Sequence, residues 1–135
     1  MRYLYDKKRL KIFLSMALIA SMLCSNVAFA ETQVETVTYK GKAIKCTLDC
    51  DWNLVDNDRA TAKTNWYGKD GYEVKVTLYS CQDRVDTFHK IATDYGEKGA
   101  VAMGSKAGVW EFKSIHGVRN VSTKKTETVC TLTDW

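Results

Sequence analysis

The chain has no proline, so its turns must be formed by other residues. In β-rich domains proline marks loops and protects edge strands, and glycine, asparagine and aspartate take that role here. The sequence also has no low-complexity stretch and no repeat with a period of about 20–50 residues, which excludes solenoids and propellers. These absences predict a single domain.

Most of the chain lacks an excess of either charge. Five of the 20 basic residues and one of the 16 acidic residues lie in positions 1–30, which leaves 15 of each sign in positions 31–135. Nucleic acids and anionic membranes are bound by basic surfaces. The neutral balance therefore argues against both as partners.

A hydrophobic run long enough to span a membrane is missing too. Residues 12–24 form an apolar stretch of 13 residues behind a basic segment, residues 1–11. A transmembrane helix needs about 20 apolar residues. The stretch is followed by small residues that end in an Ala-x-Ala motif at Ala30. This layout predicts a secretory signal peptide, and its long basic segment resembles those of Gram-positive bacteria.

The expected product is one secreted extracellular domain, residues 31–135, released by cleavage after Ala30 of the signal peptide, residues 1–30. It would keep no stable membrane anchor. Two alternatives remain: an uncleaved transmembrane anchor, and a lipid anchor at Cys24.

Four cysteines remain in this domain, and an even number in a short exported chain predicts two disulfides: Cys46, Cys50, Cys81 and Cys130. Three pairings are open. Cys46 and Cys50 fall on one face of a strand predicted over 44–54, where their Cα atoms would be roughly 13 Å apart. A disulfide needs about 7 Å, so these two would pair only if the chain turned at Leu48–Asp49. A four-thiolate zinc site is the competing interpretation.

Alternation of apolar and polar residues is the dominant pattern of the domain and is clearest over Val74–Leu78. With breaks rich in Gly, Asn and Asp, it predicts an all-β fold, a small antiparallel β-sandwich of six or seven strands. The order of Cys50, Trp66 and Cys130 resembles the Cys–Trp–Cys pattern of immunoglobulin domains, although Thr128 stands where their tyrosine would be. This resemblance implies an immunoglobulin-like architecture.

One segment departs from the alternation. Its apolar residues are spaced by three and four positions, which is typical of a helix: Val85, Phe88, Ala92 and Tyr95. We therefore predict a short helix near residues 84–95, with an extended crossover as the alternative.

Residues for catalysis are scarce. The domain has two histidines, His89 and His116, and no Gly-x-Ser-x-Gly motif. His116 is expected on the same strand face as Trp110 and Phe112, which favours a core or edge position. The aspartates near 51–58 are explained by turn chemistry. The sequence predicts no catalytic residue, no metal site and no cofactor, and hence a protein that is not an enzyme.

The aromatic residues are the remaining candidates for a site. Trp66 and Trp110 are expected in the core. Because Trp66 and Tyr67 are strand neighbours, they must face opposite ways. The surface candidates for binding are Tyr67, Tyr72 and Tyr79.

We therefore expect a non-enzymatic extracellular binding or interaction module whose partner is a protein or a glycan. The alternative is a secreted bacteriocin-like or toxin-like effector, or an enzyme inhibitor, and a small hydrolase is a third interpretation.

Overall fold

A computed structural model describes residues 28–53, 55–83 and 87–135 as two antiparallel β-sheets. The eight strands in these residues are β1 (Ala28–Tyr39), β2 (Lys42–Asn53), β3 (Asp58–Trp66), β4 (Tyr72–Cys81), β5 (His89–Gly96), β6 (Gly99–Lys106), β7 (Glu111–Asn120) and β8 (Thr126–Asp134). The first sheet has the order β1-β2-β3-β6 and the second β5-β4-β7-β8. The predicted all-β fold is confirmed, with one strand more than the six or seven expected.

The core lies between the inner faces of the two sheets, as in a β-sandwich. Alternate residues of β2 and β4 are fully buried, because successive side chains of a strand point to opposite faces: Ile44, Cys46 and Leu48 on β2, and Val74, Val76 and Leu78 on β4. Trp66 is 4% exposed, as predicted, whereas Trp110 is 52% exposed and the prediction for it was wrong. Trp110 precedes β7, so the alternation of that strand does not extend to it.

The prediction of a helix near residues 84–95 was wrong for the part of this segment that the structure describes, because His89–Gly96 form the strand β5. The β4–β5 register shifts between Leu78 and Tyr79, and Ile91 is the extra residue of this bulge. A bulge interrupts the period of two. Residues 84–86 lie outside the described residues, and the described part contains no helix that is long and apolar enough to cross a bilayer.

The predicted signal peptide lies largely outside the described residues, which begin at Ala28. Ala28, Phe29 and Ala30 are the first residues of β1 and pair with the end of β2, at Asn53, Trp52 and Asp51. Cleavage after Ala30 would remove these three pairs and leave nine of the twelve β1–β2 pairs.

The antiparallel order places the connections at two opposite ends of the sandwich. Four of them lie at one end: residues 40–41, 67–71, 97–98 and 121–125. The others lie at the far end, where the described turn residues are 55–57, 82–83, 87–88 and 107–110.

The tight link from β5 to β6 supports a first prediction. A Cβ added to Gly96 would overlap the backbone carbonyl oxygen of Gly99, so the turn would have to open. We expect Gly96→Ala to lower the free energy of unfolding by about 1–3 kcal/mol, measured by urea denaturation. The control is Gly99→Ala, whose Cβ would meet the movable Asn65 side chain at 3.3 Å. Equal losses in both variants would contradict this explanation.

Candidate functional site

The end formed by residues 40–41, 67–71, 97–98 and 121–125 is rich in lysine, and we call it the lysine end. Its turns contain five lysines and two carboxylates: Lys40, Lys69, Lys98, Lys124 and Lys125 against Asp70 and Glu97. At the far end the described turn residues contain two aspartates, Asp56 and Asp83, and neither lysine nor arginine. The balance of charges in positions 31–135 therefore hides a separation of charge along the strands.

Two cavities open at the lysine end and share Tyr67 and Lys98. The larger is about 560 Å³ and is lined by the 67–72 segment with Lys42, Glu97, Lys98 and Val121. The smaller is about 290 Å³ and is lined by Ala43, Lys45, Asn65, Trp66, Tyr67 and Lys98. Tyr67 is 82% exposed. Its ring therefore stands in solvent where the two cavities meet.

Lysines and aromatic rings hold the walls of the larger cavity together. The Lys40 ammonium lies 5.1 Å from the ring centre of Tyr72 and 5.4 Å from that of Tyr39, and the Lys69 ammonium lies 5.9 Å from that of Tyr72. Distances below about 6 Å are typical of cation–π attraction. The Lys42 ammonium donates a hydrogen bond of 2.8 Å to the Gly68 carbonyl. These contacts tie the 40–41 turn and β2 to the 67–71 turn.

Gly68 and Gly71 give that turn its shape. Both have φ near +80°, a conformation that side-chain-bearing residues adopt rarely. They bracket Lys69 and Asp70 in the turn that connects β3 of the first sheet to β4 of the second. The turn thereby presents both charges at the mouth of the cavity.

The tyrosine at the end of β1 fixes one side of this end. The Tyr39 hydroxyl donates a hydrogen bond of 2.8 Å to the Glu127 carboxylate on β8, and its ring meets Trp66 edge-on at 5.9 Å. Burial, followed by the hydrogen bond and the charge of Glu127, raises the pKa of Tyr39 to about 12. Tyr39 therefore stays a donor over the physiological range and links the two sheets.

Trp66 lines the smaller cavity with a buried indole whose Nε1 has no hydrogen-bond partner among the described residues. A buried donor without an acceptor is unfavourable by roughly 1–3 kcal/mol. Such groups are rare in native proteins. This indole is therefore a donor with unused capacity beside Tyr67.

The three predicted surface tyrosines do not form one patch. Tyr67 and Tyr72 line the same cavity, but Tyr72 is half-buried and packs against the core. Tyr79 follows Tyr72 by seven residues on β4, roughly 23 Å along the strand. Its ring packs against Lys113, whose ammonium is 5.4 Å from the Tyr79 ring centre and 3.8 Å from that of Phe88. Tyr79 therefore belongs to a separate surface.

A histidine–hydroxyl cluster lies in the core. The Nδ1 atom of His116 is 2.7 Å from the Thr64 hydroxyl and its Nε2 atom is 2.8 Å from the Ser114 hydroxyl. A serine within hydrogen-bond reach of a histidine is what a serine hydrolase requires. All three side chains, however, are 0% exposed, so a substrate has no access to them. Burial lowers the pKa of His116 to about 4, so the ring is neutral near pH 7.

The four cysteines are buried free thiols, and no two sulfurs are at bonding distance. The two disulfides thus remain a prediction. Cys46 and Cys50 lie on the single strand β2 and on the same face, as expected, which excludes a bond between them. Within residues 28–53, 55–83 and 87–135, no group of three or more metal-binding side chains comes together.

The chain matches no protein family model, no curated protein and no solved structure. Its function must therefore be argued from the chemistry of its own surface.

Proposed function

We propose that this protein is a secreted, non-enzymatic binding module that holds an acidic polysaccharide at the lysine end. The observation that carries the proposal is the position of Tyr67, an 82% exposed ring between two cavities that also contain lysines. The predicted signal peptide over residues 1–30 supports an extracellular partner.

The side chains of the lysine end match the chemistry of such a ligand. An exposed aromatic ring offers an apolar face to the C–H face of a sugar, while its hydroxyl remains in water. Ammonium groups form charge-assisted hydrogen bonds with carboxylates or sulfates. The two carboxylates, Asp70 and Glu97, can accept hydrogen bonds from sugar hydroxyls. A cavity of about 560 Å³ is in the range of small-ligand sites.

An immunoglobulin-like assignment of the strands supports the same end as the binding end. In immunoglobulin domains strand B neighbours E, and C, F and G lie together in the other sheet. β3 and β6 correspond to B and E, β4, β7 and β8 correspond to C, F and G, and β5 takes the place of C′ beside β4. The B–C and F–G loops form the binding end of variable domains. The equivalent turns, residues 67–71 and 121–125, both belong to the lysine end.

The predicted Cys–Trp–Cys pattern is not what supports this assignment. Cys50, Trp66 and Cys130 lie on β2, β3 and β8, whereas the immunoglobulin pattern needs cysteines on B and F and a tryptophan on C. At the B and F positions β3 and β7 instead carry Thr64 and His116, joined at 2.7 Å. The strand order is therefore the stronger argument.

Tyr67→Ala tests the proposal. We expect the purified protein to bind polygalacturonate, a polymer of uronic acids, and not neutral dextran, in isothermal titration calorimetry. Loss of the Tyr67 ring should weaken binding about tenfold, which is about 1.4 kcal/mol. Binding should also weaken as salt is raised, because the lysine contacts are screened.

Tyr79→Ala is the matched control, since it removes a tyrosine on β4 that lies far from the lysine end. Its affinity should stay within twofold of the unaltered protein. Equal binding of dextran and polygalacturonate, equal losses in both variants, or no binding to either polymer would each count against the proposal.

A further inference from the structure

We propose that Cys46 and Cys130 are the pair that oxidises in this protein, and that their disulfide joins the two sheets through the core. The sequence leaves three pairings open. Strand register and the contacts of each thiol favour a single bond, Cys46–Cys130, in place of two disulfides.

The register of the strands places the two cysteines opposite each other. Cys46 on β2 pairs with Thr64 on β3, and Cys130 on β8 pairs with His116 on β7. Thr64 and His116 already touch across the core at 2.7 Å. Cys46 lies beside Thr64 on the next strand of the first sheet, and Cys130 lies beside His116 on the next strand of the second sheet. Both cysteines are on the inner faces of their sheets. They therefore meet in the same layer of the core.

The contacts of the two thiols agree with the register. The Cys46 and Cys130 thiols lie close enough together that each affects the pKa of the other. The Cys130 thiol also donates to a Glu35 carboxylate oxygen at 3.2 Å. Glu35 pairs with Cys46 in the β1–β2 register, so all three residues lie at the edge where β1 faces β8.

The other two cysteines do not face each other. Cys50 lies on the inner face of β2, where burial, followed by the nearby Asp134 carboxylate, raises the pKa of its thiol. Cys81 follows Ser80 on β4, and Ser80 is the residue that faces the core. Cys81 therefore points to the opposite face of its sheet. Its thiol donates to the Asp83 carbonyl oxygen at 3.0 Å. We infer that Cys50 and Cys81 stay as thiols.

The bond forms by exchange with a small disulfide, such as oxidised glutathione. One cysteine thiolate attacks a sulfur of the reagent, forms a mixed disulfide and expels one reagent thiolate. The second cysteine thiolate then attacks the protein sulfur of the mixed disulfide and expels the other reagent thiolate. The protein loses two thiol protons and two electrons, and the reagent becomes two thiols.

The burial of the two thiols indicates the stage of folding at which the disulfide forms. Both thiols lie in the core, and burial raises the pKa of Cys46 to about 11 and that of Cys130 further still. Thiolate is the reactive form. The closed sandwich should therefore oxidise slowly, and the bond should form while the two sheets are still coming together.

Peptide mapping tests the pairing. The protein is refolded with oxidised and reduced glutathione, alkylated, and digested without reduction. We expect one cross-linked peptide pair, containing Cys46 and Cys130, with Cys50 and Cys81 alkylated. Four alkylated cysteines, or a cross-link that includes Cys50 or Cys81, would overturn the proposal.

Two double variants test the energetic effect. Cys46 and Cys130 are 84 positions apart, and a bond across such a loop should lower the unfolding equilibrium constant roughly a thousandfold. In urea denaturation, reductant should raise the unfolding equilibrium constant of Cys50→Ala/Cys81→Ala as it does that of the unaltered protein, because the Cys46–Cys130 bond is still present to be reduced. Reductant should not change the unfolding equilibrium constant of Cys46→Ala/Cys130→Ala. If a double variant does not fold, the mapping of the unaltered protein still decides the question.

Discussion

Lowering the pH from 6.5 to 4 is expected to destabilise the fold by about 3 kcal/mol through His116. The ring is fully buried and held by two hydroxyls, and its pKa falls from 6.5 to about 4 in the folded protein. Because the folded pKa is below the unfolded one, the unfolded chain takes up the proton first. The contribution of the neutral ring is therefore complete above pH 6.5 and is lost as the pH falls towards 4.

Urea denaturation at intervals between pH 7 and pH 4 measures this loss. Carboxylates also titrate in this range, so the unaltered protein is compared with His116→Gln, which retains an uncharged polar side chain. The stability of His116→Gln should fall less steeply between pH 6.5 and 4. His89→Gln removes the exposed histidine and should keep the steep fall. Parallel curves for all three proteins would refute the assignment to His116.

The second large effect is expected from Phe112→Ala, which should lower the free energy of unfolding by about 3–5 kcal/mol. Phe112 is the largest fully buried side chain, and its ring lies 5.2 Å from that of Trp52 across the core. The Trp52 indole also donates a hydrogen bond of 3.2 Å to Asp134. Removing the ring leaves a cavity that this fixed tryptophan cannot readily fill.

Phe88→Ala is the comparison, because Phe88 is only half-buried and lies outside the core cluster. Its loss should be about 1 kcal/mol or less. Both values come from urea denaturation at pH 7. A loss below about 1.5 kcal/mol for Phe112→Ala would mean that the sheets collapse onto the vacated space.

A strand is predicted well from the sequence where one of its faces is apolar and packs on the core and the other is polar. On β4 the residues Val74, Val76 and Leu78 alternate with polar ones, and the structure buries all three. β5 breaks this rule. Asp94 pairs with the buried Val76, so it faces inward, where it accepts a hydrogen bond from the Val101 backbone at 2.9 Å. Tyr95 faces outward against Arg119 at 3.9 Å. Because a polar residue faces inward and an aromatic residue faces outward on β5, the apolar residues of this segment do not alternate along the sequence, and their spacing is typical of a helix.

The candidate site could be predicted only in part. Tyr67 followed from its neighbour Trp66, since adjacent strand residues cannot both face the core. The lysine end could not be predicted, because the net charge of a chain does not say where its charged residues lie on the folded surface. Lys40 lies in the 40–41 turn and Lys69 in the 67–71 turn, but which turns share an end is known only from the order of strands in the two sheets. The neutral total thus concealed a basic surface.

The separation of charge between the two ends also gives the domain a permanent electric dipole along its strands. Lysines predominate in the turns of the positive end, whereas the described turns of the other end carry Asp56, which is ion-paired with Arg59, and Asp83. A neutral body with such a dipole is not drawn strongly towards a charged surface, but it is rotated as it approaches. Near an anionic polymer the lysine end would turn to face the surface before contact. Orientation, rather than attraction, is then what the charges supply.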